Sequence, residues 1–265
     1  MRREDWERIQ QGEVEYHLAK DESRLLQNNL PYWRSLLAAL PEEVRFGAGT
    51  RVLDLGCGGC GILLALEQGE LVGVDPLMDR YLEKFPSLAA RSDIRWIQAA
   101  AEELALEERF DVIFSINALD HVYDPARVAR QIERLLRPGG YLILTMNCHN
   151  HRLARAYYAA LYRLIDTHHP FQFTPVDLQE LFSRLVPVQR RTIDDLWLPH
   201  AARYYREVLG RPLEDRRKWL RAAVNPFKWP IGFCKLVLDM PPHPKRAGQR
   251  SIYSNYLFVF RSALE

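Results

Sequence analysis

The run Val52-Leu53-Asp54-Leu55-Gly56-Cys57-Gly58-Gly59-Cys60-Gly61, followed by Leu71-Val72-Gly73-Val74-Asp75, constrains this chain more than any other part of it. An apolar strand runs into a glycine-rich turn that opens a helix. A second apolar strand then ends in a carboxylate about twenty residues after the first acid, which is the spacing of a nucleoside-binding βαβ unit. The pattern predicts that the chain binds an adenosine-containing cofactor.

Two cofactor classes compete for such a unit, because Gly56-x-Gly58-x-x-Gly61 also satisfies the dinucleotide fingerprint as a bare pattern. Asp54 decides between them. At the end of the first strand its charge repels a pyrophosphate and attracts a ligand ammonium group. S-Adenosylmethionine has no phosphate and carries both an ammonium and a sulfonium. With Asp54, Gly56 and Gly58 in place, the chain resembles the class I (Rossmann-like) S-adenosylmethionine-dependent methyltransferases, although Cys60, between Gly59 and Gly61, stands where their motif has its third glycine.

The resemblance extends through roughly residues 45–150. Phe110 to Asn117 reads as a buried parallel strand, and Ala118-Leu119-Asp120-His121-Val122-Tyr123-Asp124-Pro125 is similar to the loop after the fourth strand of small-molecule methyltransferases. A helix from Pro125 to Leu136 follows, ending at Arg137-Pro138-Gly139-Gly140 because proline and glycine stop a helix and allow a tight reversal. Tyr141 to Met146 is the fifth strand. This order of segments resembles the subfamily that includes ubiquinone and menaquinone biosynthesis enzymes.

That resemblance implies an α/β fold: a Rossmann-like seven-stranded mixed sheet with helices on both faces. It also implies a cofactor set of Asp54, Gly56, Cys57 and Gly58 at the methionine end, Asp75 and Pro76 at the ribose, and Asn117 after strand four. The acid that usually follows strand three is missing, since Ala100 stands there. Adenine recognition is therefore expected from backbone near Ala101 and from Glu102, unless Glu102 and Glu103 simply begin a solvated turn.

At 265 residues and 48% hydrophobic, the chain can bury a full core and is most simply one domain. It divides into an N-terminal helical segment (1–45), a cofactor-binding half (46–150) and a substrate-side half (151–265). No signal peptide or transmembrane run is visible, and four cysteines make no secreted disulfide framework, so cytoplasm is the expected compartment. Cys57 and Cys60 read as small loop residues rather than a zinc or redox pair, and Cys148, His149 and His151 lie in a loop that alternation splays apart. No metal is expected.

Charge is uneven. Residues 1–150 hold 17 Lys and Arg against 24 Asp and Glu, net −7, while residues 151–265 hold 19 against 10, net +9. A basic half attracts anions, whether a carboxylate or phosphate substrate, nucleic acid or acidic lipid head groups. It contains a helix from Arg152 to Ile165, another starting at Thr174-Pro175-x-Asp177, a sixth strand near Val186 to Trp197 and a seventh, antiparallel, near Ile252 to Arg261. The segment His168-His169-Pro170-Phe171 resembles one that many of these methyltransferases place near substrate.

About fifty residues, 200–250, separate the last two strands, which predicts a helical insertion before the final strand. Its expected helices are Ala201 to Leu209, Leu213 to Ala223 and Ile231 to Met240, with basic and aromatic residues interleaved. Such a surface suits an anionic or lipid-like acceptor, or peripheral contact with a membrane, although its aromatic residues also suit plain packing onto the domain. Asn225-Pro226-Phe227 is misplaced for the signature of nucleic-acid amino-methyltransferases, which follows strand four, so DNA is not an expected partner.

The reading is methyl transfer to a small-molecule acceptor. His121 is the candidate base for a hydroxyl acceptor, unless Asp120 merely holds it as a structural residue, and His149 and His169 are substrate-side candidates. Two alternatives stand beside it: an NAD(P)-dependent oxidoreductase, and a non-catalytic cofactor-binding protein with a basic partner surface.

Overall fold

The computed structural model of the protein describes residues 1–165, 169–210, 226, 229–230 and 253–264. Helices α1 (Arg3–Leu18) and α2 (Glu22–Ala38) precede β1 (Arg51–Leu55). Then come β2 (Glu70–Asp75), α3 (Met78–Lys84), α4 (Pro86–Ala89), β3 (Ile94–Gln98), β4 (Phe110–Ile116), α5 (Pro125–Leu135), β5 (Leu136–His149) and α6 (Arg152–Ile165). The chain continues through α7 (Pro175–Leu181), β6 (Val186–Thr192), α8 (Asp194–Arg203) and β7 (Tyr253–Arg261).

The seven strands form one sheet in the order β3-β2-β1-β4-β5-β7-β6. β1 pairs in parallel with both β2 and β4, whereas β7 runs antiparallel between β5 and β6. Alternation along each strand explains why both faces are covered. Leu53, Val72, Ile113, Leu142, Leu144 and Phe258 pack with Val128, Ile132 and Leu135 of α5 and Leu178 of α7. Their neighbours Val52, Leu71, Val112, Phe114, Ile143 and Leu257 face Leu36 of α2 and Ile193 on the other side. A strand buried on both faces must be apolar in its centre, as Val52–Leu53 in β1, Val112–Phe114 in β4 and Leu142–Leu144 in β5 are.

Helix starts follow local chemistry. Asp124 accepts from the Arg127 N–H at 3.0 Å ahead of Pro125. At α7, Thr174 and Asp177 form a reciprocal capping box at 3.2 and 2.7 Å, with Pro175 in the first turn. The strand order reverses between β1 and β4, so a crevice opens at the carboxyl ends of these two strands.

Four details differ from the sequence-based expectation. The glycine turn opens no α-helix; two short 3₁₀ turns, Gly58–Cys60 and Ile62–Ala65, connect β1 to β2. Gly61 is extended between them, and a β-carbon there would lie 2.5 Å from the Cys57 carbonyl oxygen, so the chain is too tightly folded for a continuous helix. The fifth strand is longer than Tyr141 to Met146, because β7 pairs with it as far as His149. Its Pro-Gly-Gly forms a bulge between the pairs Phe110↔Leu136 and Val112↔Tyr141, with Gly139 at φ +74°. The sixth strand stops at Thr192, not Trp197. Ile193 donates to the Asn255 carbonyl at 2.8 Å and Asp194 accepts from the Asn255 N–H at 2.9 Å, which turns the chain into α8.

The insertion thus begins earlier than expected, with α8 and a π-turn at Tyr204–Val208. The expected helices Leu213 to Ala223 and Ile231 to Met240 lie outside the described residues. Among the described residues, no helix is long and apolar enough to cross a membrane.

Gly73 marks a close cross-strand approach in β2, because a β-carbon there would collide with the ring of its β3 partner Trp96. Gly73→Ala is expected to destabilise the fold by about 1–3 kcal/mol, the scale of core overpacking. Urea unfolding checks this, and a neutral result would show that Trp96 swings away freely.

Candidate functional site

The end of β1 is held down by backbone. Gly56 and Cys57 both donate to the Val74 carbonyl, at 2.8 and 3.1 Å. Gly56, at φ +76°, approaches the loop after β4 so closely that a β-carbon would lie 2.5 Å from Ala118 Cβ. Gly58, at φ +59°, donates to Asp75 Oδ2 at 2.9 Å, and the Leu77 N–H donates to Asp75 Oδ1 at 2.9 Å. One carboxylate therefore ties the turn after β1 to the turn after β2.

Asp54 and Asp75 are 1% and 7% exposed, and Asp54 Oδ1 is buried without a hydrogen-bond partner. Burial first, then the charge of Asp75, pushes the Asp54 pKa up to about 8. Burial also raises that of Asp75, against the pull of the Leu77 and Gly58 N–H groups. Two acids held like this, with no Lys or Arg within ion-pair distance among the described residues, form a site that gains by taking a cationic group. Cys57 and Cys60 are buried free thiols whose pKa burial raises, the latter to about 12. They form no disulfide.

Glu102, expected to meet adenine, is fully buried. Its Oε1 accepts from the N–H groups of Tyr123 and Asp124 at 2.6 and 3.0 Å, pinning the loop after β4, while Oε2 is buried without a hydrogen-bond partner. Asn117 opens that loop in the left-handed region, φ +49°, which asparagine tolerates better than most residues. Its N–H donates to the Thr145 carbonyl at 3.0 Å, and its Oδ1 is also buried without such a partner.

Asp54, Gly56, Cys57, Gly58, Asp75, Glu102 and Asn117 border one cavity of about 920 Å³, and so do Pro76, Ala101, His121 and His169. His121 Nε2 lies 3.9 Å from Asp120 Oδ1, and its ring centroid is 4.6 Å from that of His169. The donor atoms of Asp120, His121 and His169 all fall within 4.8 Å of one another, so these residues can together hold a metal ion. The sequence reading had raised that question only for Cys57, Cys60, Cys148, His149 and His151.

His149 is a correction. It is fully buried and absent from the cavity wall, because the longer β5 carries it into packing between Tyr158 and Tyr253, where its Nε2 pairs with Gln172 Oε1 at 2.6 Å.

Residues that sequence reasoning missed close the cavity. Tyr16, His17, Lys20 and Trp33 come from the N-terminal segment, and Trp197, His200 and Tyr204 from the start of the insertion. Lys20 Nζ sits 3.7 Å from the centroid of the Tyr16 ring, and burial lowers its pKa to about 8. His200 stacks on Tyr32 at 4.3 Å and pairs through Nδ1 with Asn28 at 3.1 Å. Burial lowers its pKa to about 4, so it is neutral near pH 7. The available signal was the helical spacing of Tyr16 with Lys20 and of Trp197 with His200.

A family model described as a methyltransferase domain matches residues 53–144. The ubiquinone biosynthesis O-methyltransferase of Pseudomonas aeruginosa is 37% identical over 186 residues, covering 66% of this chain and 74% of that protein. The protein of the same name from Pseudomonas syringae pv. tomato is 38% identical over 107 residues, 37% of this chain, and the match spans only 44% of that relative's length. Geranyl diphosphate C-methyltransferase from Streptomyces coelicolor A3(2), solved with Mg²⁺, geranyl diphosphate and S-adenosyl-L-homocysteine, aligns with a TM-score of 0.61 at 13% identity. The alignment covers 87% of this chain and 78% of that one, a likeness of fold.

The raised pKa of Asp54 has a thermodynamic sign. Between the ordinary carboxylate value and about 8, the folded protein keeps a proton that the unfolded chain has lost. Stability of the ligand-free protein is therefore expected to fall as pH rises through this window, with a slope approaching about 1.4 kcal/mol per pH unit, and to level off above it. Asp54→Asn should flatten most of that slope in urea titrations. An unchanged slope would assign the proton elsewhere.

Proposed function

The chain belongs to the class I S-adenosylmethionine-dependent methyltransferases, and we propose that it transfers a methyl group to a hydroxyl of a small-molecule acceptor. The observation that carries the cofactor assignment is the pair of buried acids, Asp54 and Asp75, around a glycine turn whose backbone is drawn in against the cavity. The buried, unpartnered Asp54 Oδ1 fits a ligand ammonium. Neither acid has a Lys or Arg within ion-pair distance among the described residues to receive a pyrophosphate, which disfavours the dinucleotide reading.

In this reading Gly56, Cys57 and Gly58 hold the methionine end, and Asp75, with Pro76 beside it, receives the ribose hydroxyls on lone pairs left over from its two backbone bonds. Ala101, Glu102 and Asn117 border the adenine end. When bound, S-adenosylmethionine supplies an electrophilic methyl group on a sulfonium with a good leaving group. The protein's task is then to hold the acceptor oxygen in line and to exclude water.

Trp33, Trp197, His200 and Tyr204 wall the cavity for that purpose, and His121 and His169 form its polar end, where the acceptor hydroxyl is received. A hydroxyl acceptor is supported by the O-methyltransferase name of the Pseudomonas aeruginosa relative. An anionic one is supported by Lys20 in the wall and by the +9 balance of residues 151–265. The same balance supports peripheral contact with an anionic lipid surface. Because residues of the N-terminal segment, the cofactor half and the insertion share one cavity, we read the chain as a single functional domain.

Isothermal titration calorimetry with S-adenosylhomocysteine tests the assignment. The wild type should bind, and Asp75→Ala should weaken binding by about 1–3 kcal/mol, the scale for charge-assisted hydrogen bonds. Absence of binding, or tight binding of NAD(H) in its place, overturns the reading.

A further inference from the structure

We propose that Lys20 selects the methyl acceptor by receiving a carboxylate of that molecule on its ammonium group, an assignment that rests on the methyl-transfer reading. Lys20 occupies the bend between α1 and α2, and both sides of the bend are fixed. Its N–H donates to the His17 carbonyl at 3.3 Å, and Asp21 caps α2 by accepting from the Arg24 N–H at 3.0 Å. The residue is 6% exposed and is the only Lys or Arg in the cavity wall among the described residues.

The contacts that Lys20 makes leave its charge unneutralised. Its Nζ lies 3.0 Å from His17 Nδ1. An ammonium only donates, so Nδ1 accepts and the His17 ring proton sits on Nε2, 3.1 Å from Glu13 Oε2. The Tyr16 and Tyr204 ring centroids lie 3.7 and 5.4 Å from Nζ, and aromatic faces attract the charge without cancelling it. Among the described residues, no carboxylate comes within ion-pair distance of Nζ. Burial lowers the pKa to about 8 while Glu13 pulls it upward, so the group keeps its proton at neutral pH and a bound anion would hold it more firmly. A buried cation of this kind is unfavourable alone and gains by taking a counter-charge.

The surroundings narrow the class of anion. A phosphate is best met by an Arg fork or a run of backbone N–H groups, and no Arg lines this wall among the described residues. A single ammonium matches the single charge of a carboxylate. The acceptor's planar or apolar body is suited by Tyr16, Tyr204 and Trp197, which border the same cavity. At about 920 Å³ the cavity lies near the top of the usual range for ligand pockets, about 300–1,000 Å³, which leaves room for cofactor and acceptor together. The charge on Asp54 is governed by burial, Asp75 and the Ile62 N–H, with no Lys among its influences. Lys20 is therefore separate from the acid that would take the cofactor's ammonium, and its charge is left for the acceptor.

Ligand-observed NMR titration of the S-adenosylhomocysteine-saturated protein with 4-hydroxycinnamate and with its neutral methyl ester tests the assignment. The wild type should bind the acid at least about ten-fold more tightly than the ester. Lys20→Met and Lys20→Gln should lose that preference while binding S-adenosylhomocysteine as the wild type does in calorimetry. If Lys20→Met does not fold by circular dichroism, Lys20→Gln carries the test. Equal binding of acid and ester by the wild type, or an undiminished preference in a folded variant, overturns the proposal. So does a folded variant that no longer binds S-adenosylhomocysteine, because Lys20 would then serve the cofactor. Tighter binding of 4-hydroxyphenyl phosphate than of 4-hydroxycinnamate overturns the choice of carboxylate. A wild type that does not bind S-adenosylhomocysteine at all overturns the methyl-transfer reading itself.

Discussion

The carboxylate of Asp75, accepting from Gly58 on one side and Leu77 on the other, is the contact on which the cavity depends. It fastens the turn after β1 to the turn after β2, and so converts two neighbouring parallel strands into a fixed rim. Bending the chain this sharply needs left-handed backbone at Gly56 and Gly58, and it leaves no room for a regular helix before β2. The cost falls on charge. Tying Asp75 into the rim buries it beside Asp54, and neither acid has a Lys or Arg within ion-pair distance among the described residues.

The two ends of the cavity consequently differ in electrostatic character. Near β1 and β2, burial raises the pKa of both acids, and Asp54, pushed up to about 8, would give its proton up to a cationic ligand. At the loop after β4, Asp120 lies beside two imidazoles whose ring nitrogens come within 4.8 Å of its carboxylate. A sulfonium cofactor suits the first end because its positive charge replaces the proton on Asp54. The second end suits an oxygen nucleophile, which develops less charge when a cation or an imidazole stands beside it. The aromatic wall between them supplies little hydrogen bonding and keeps bulk water from screening either interaction.

Much of this was legible in the sequence because strands buried on both faces, glycine turns and terminal acids are local patterns. The alternation in Val52 to Leu55 and Ile113 to Ile116, the final antiparallel strand, and the convergence of Asp54, Asp75, Asn117 and His121 all follow from such signals. What escaped was decided by tertiary pairing. His149 reads as a loop residue until β7 is seen to extend β5 and draw it inward. His169 meets His121 only because the chain returns along the carboxyl edge of the sheet, and no spacing rule connects residues so far apart. Lys20 and His200 look like ordinary polar residues of surface helices. Only the packing of α2 against α8 and its π-turn shows that they face inward.

That packing also ties cavity closure to the loop that bears His121. Helix α1 buries few apolar side chains, chiefly Trp6 and Val14, so its own packing holds it weakly. Several polar contacts anchor it to the loop after β4, from Trp6 Nε1 and Gln10 Nε2 to the His121 carbonyl and from the terminal ammonium to the Tyr123 carbonyl at 3.0 Å, while Arg3 pairs with Glu103 in the turn after β3. The same loop is pinned from below by Glu102. Any ligand that settles Asp120 and His121 therefore also steadies the carbonyl that α1 grips, and with it the wall formed by Tyr16, His17 and Lys20. Residues 118–124 thus tie the N-terminal wall of the cavity to its imidazole end.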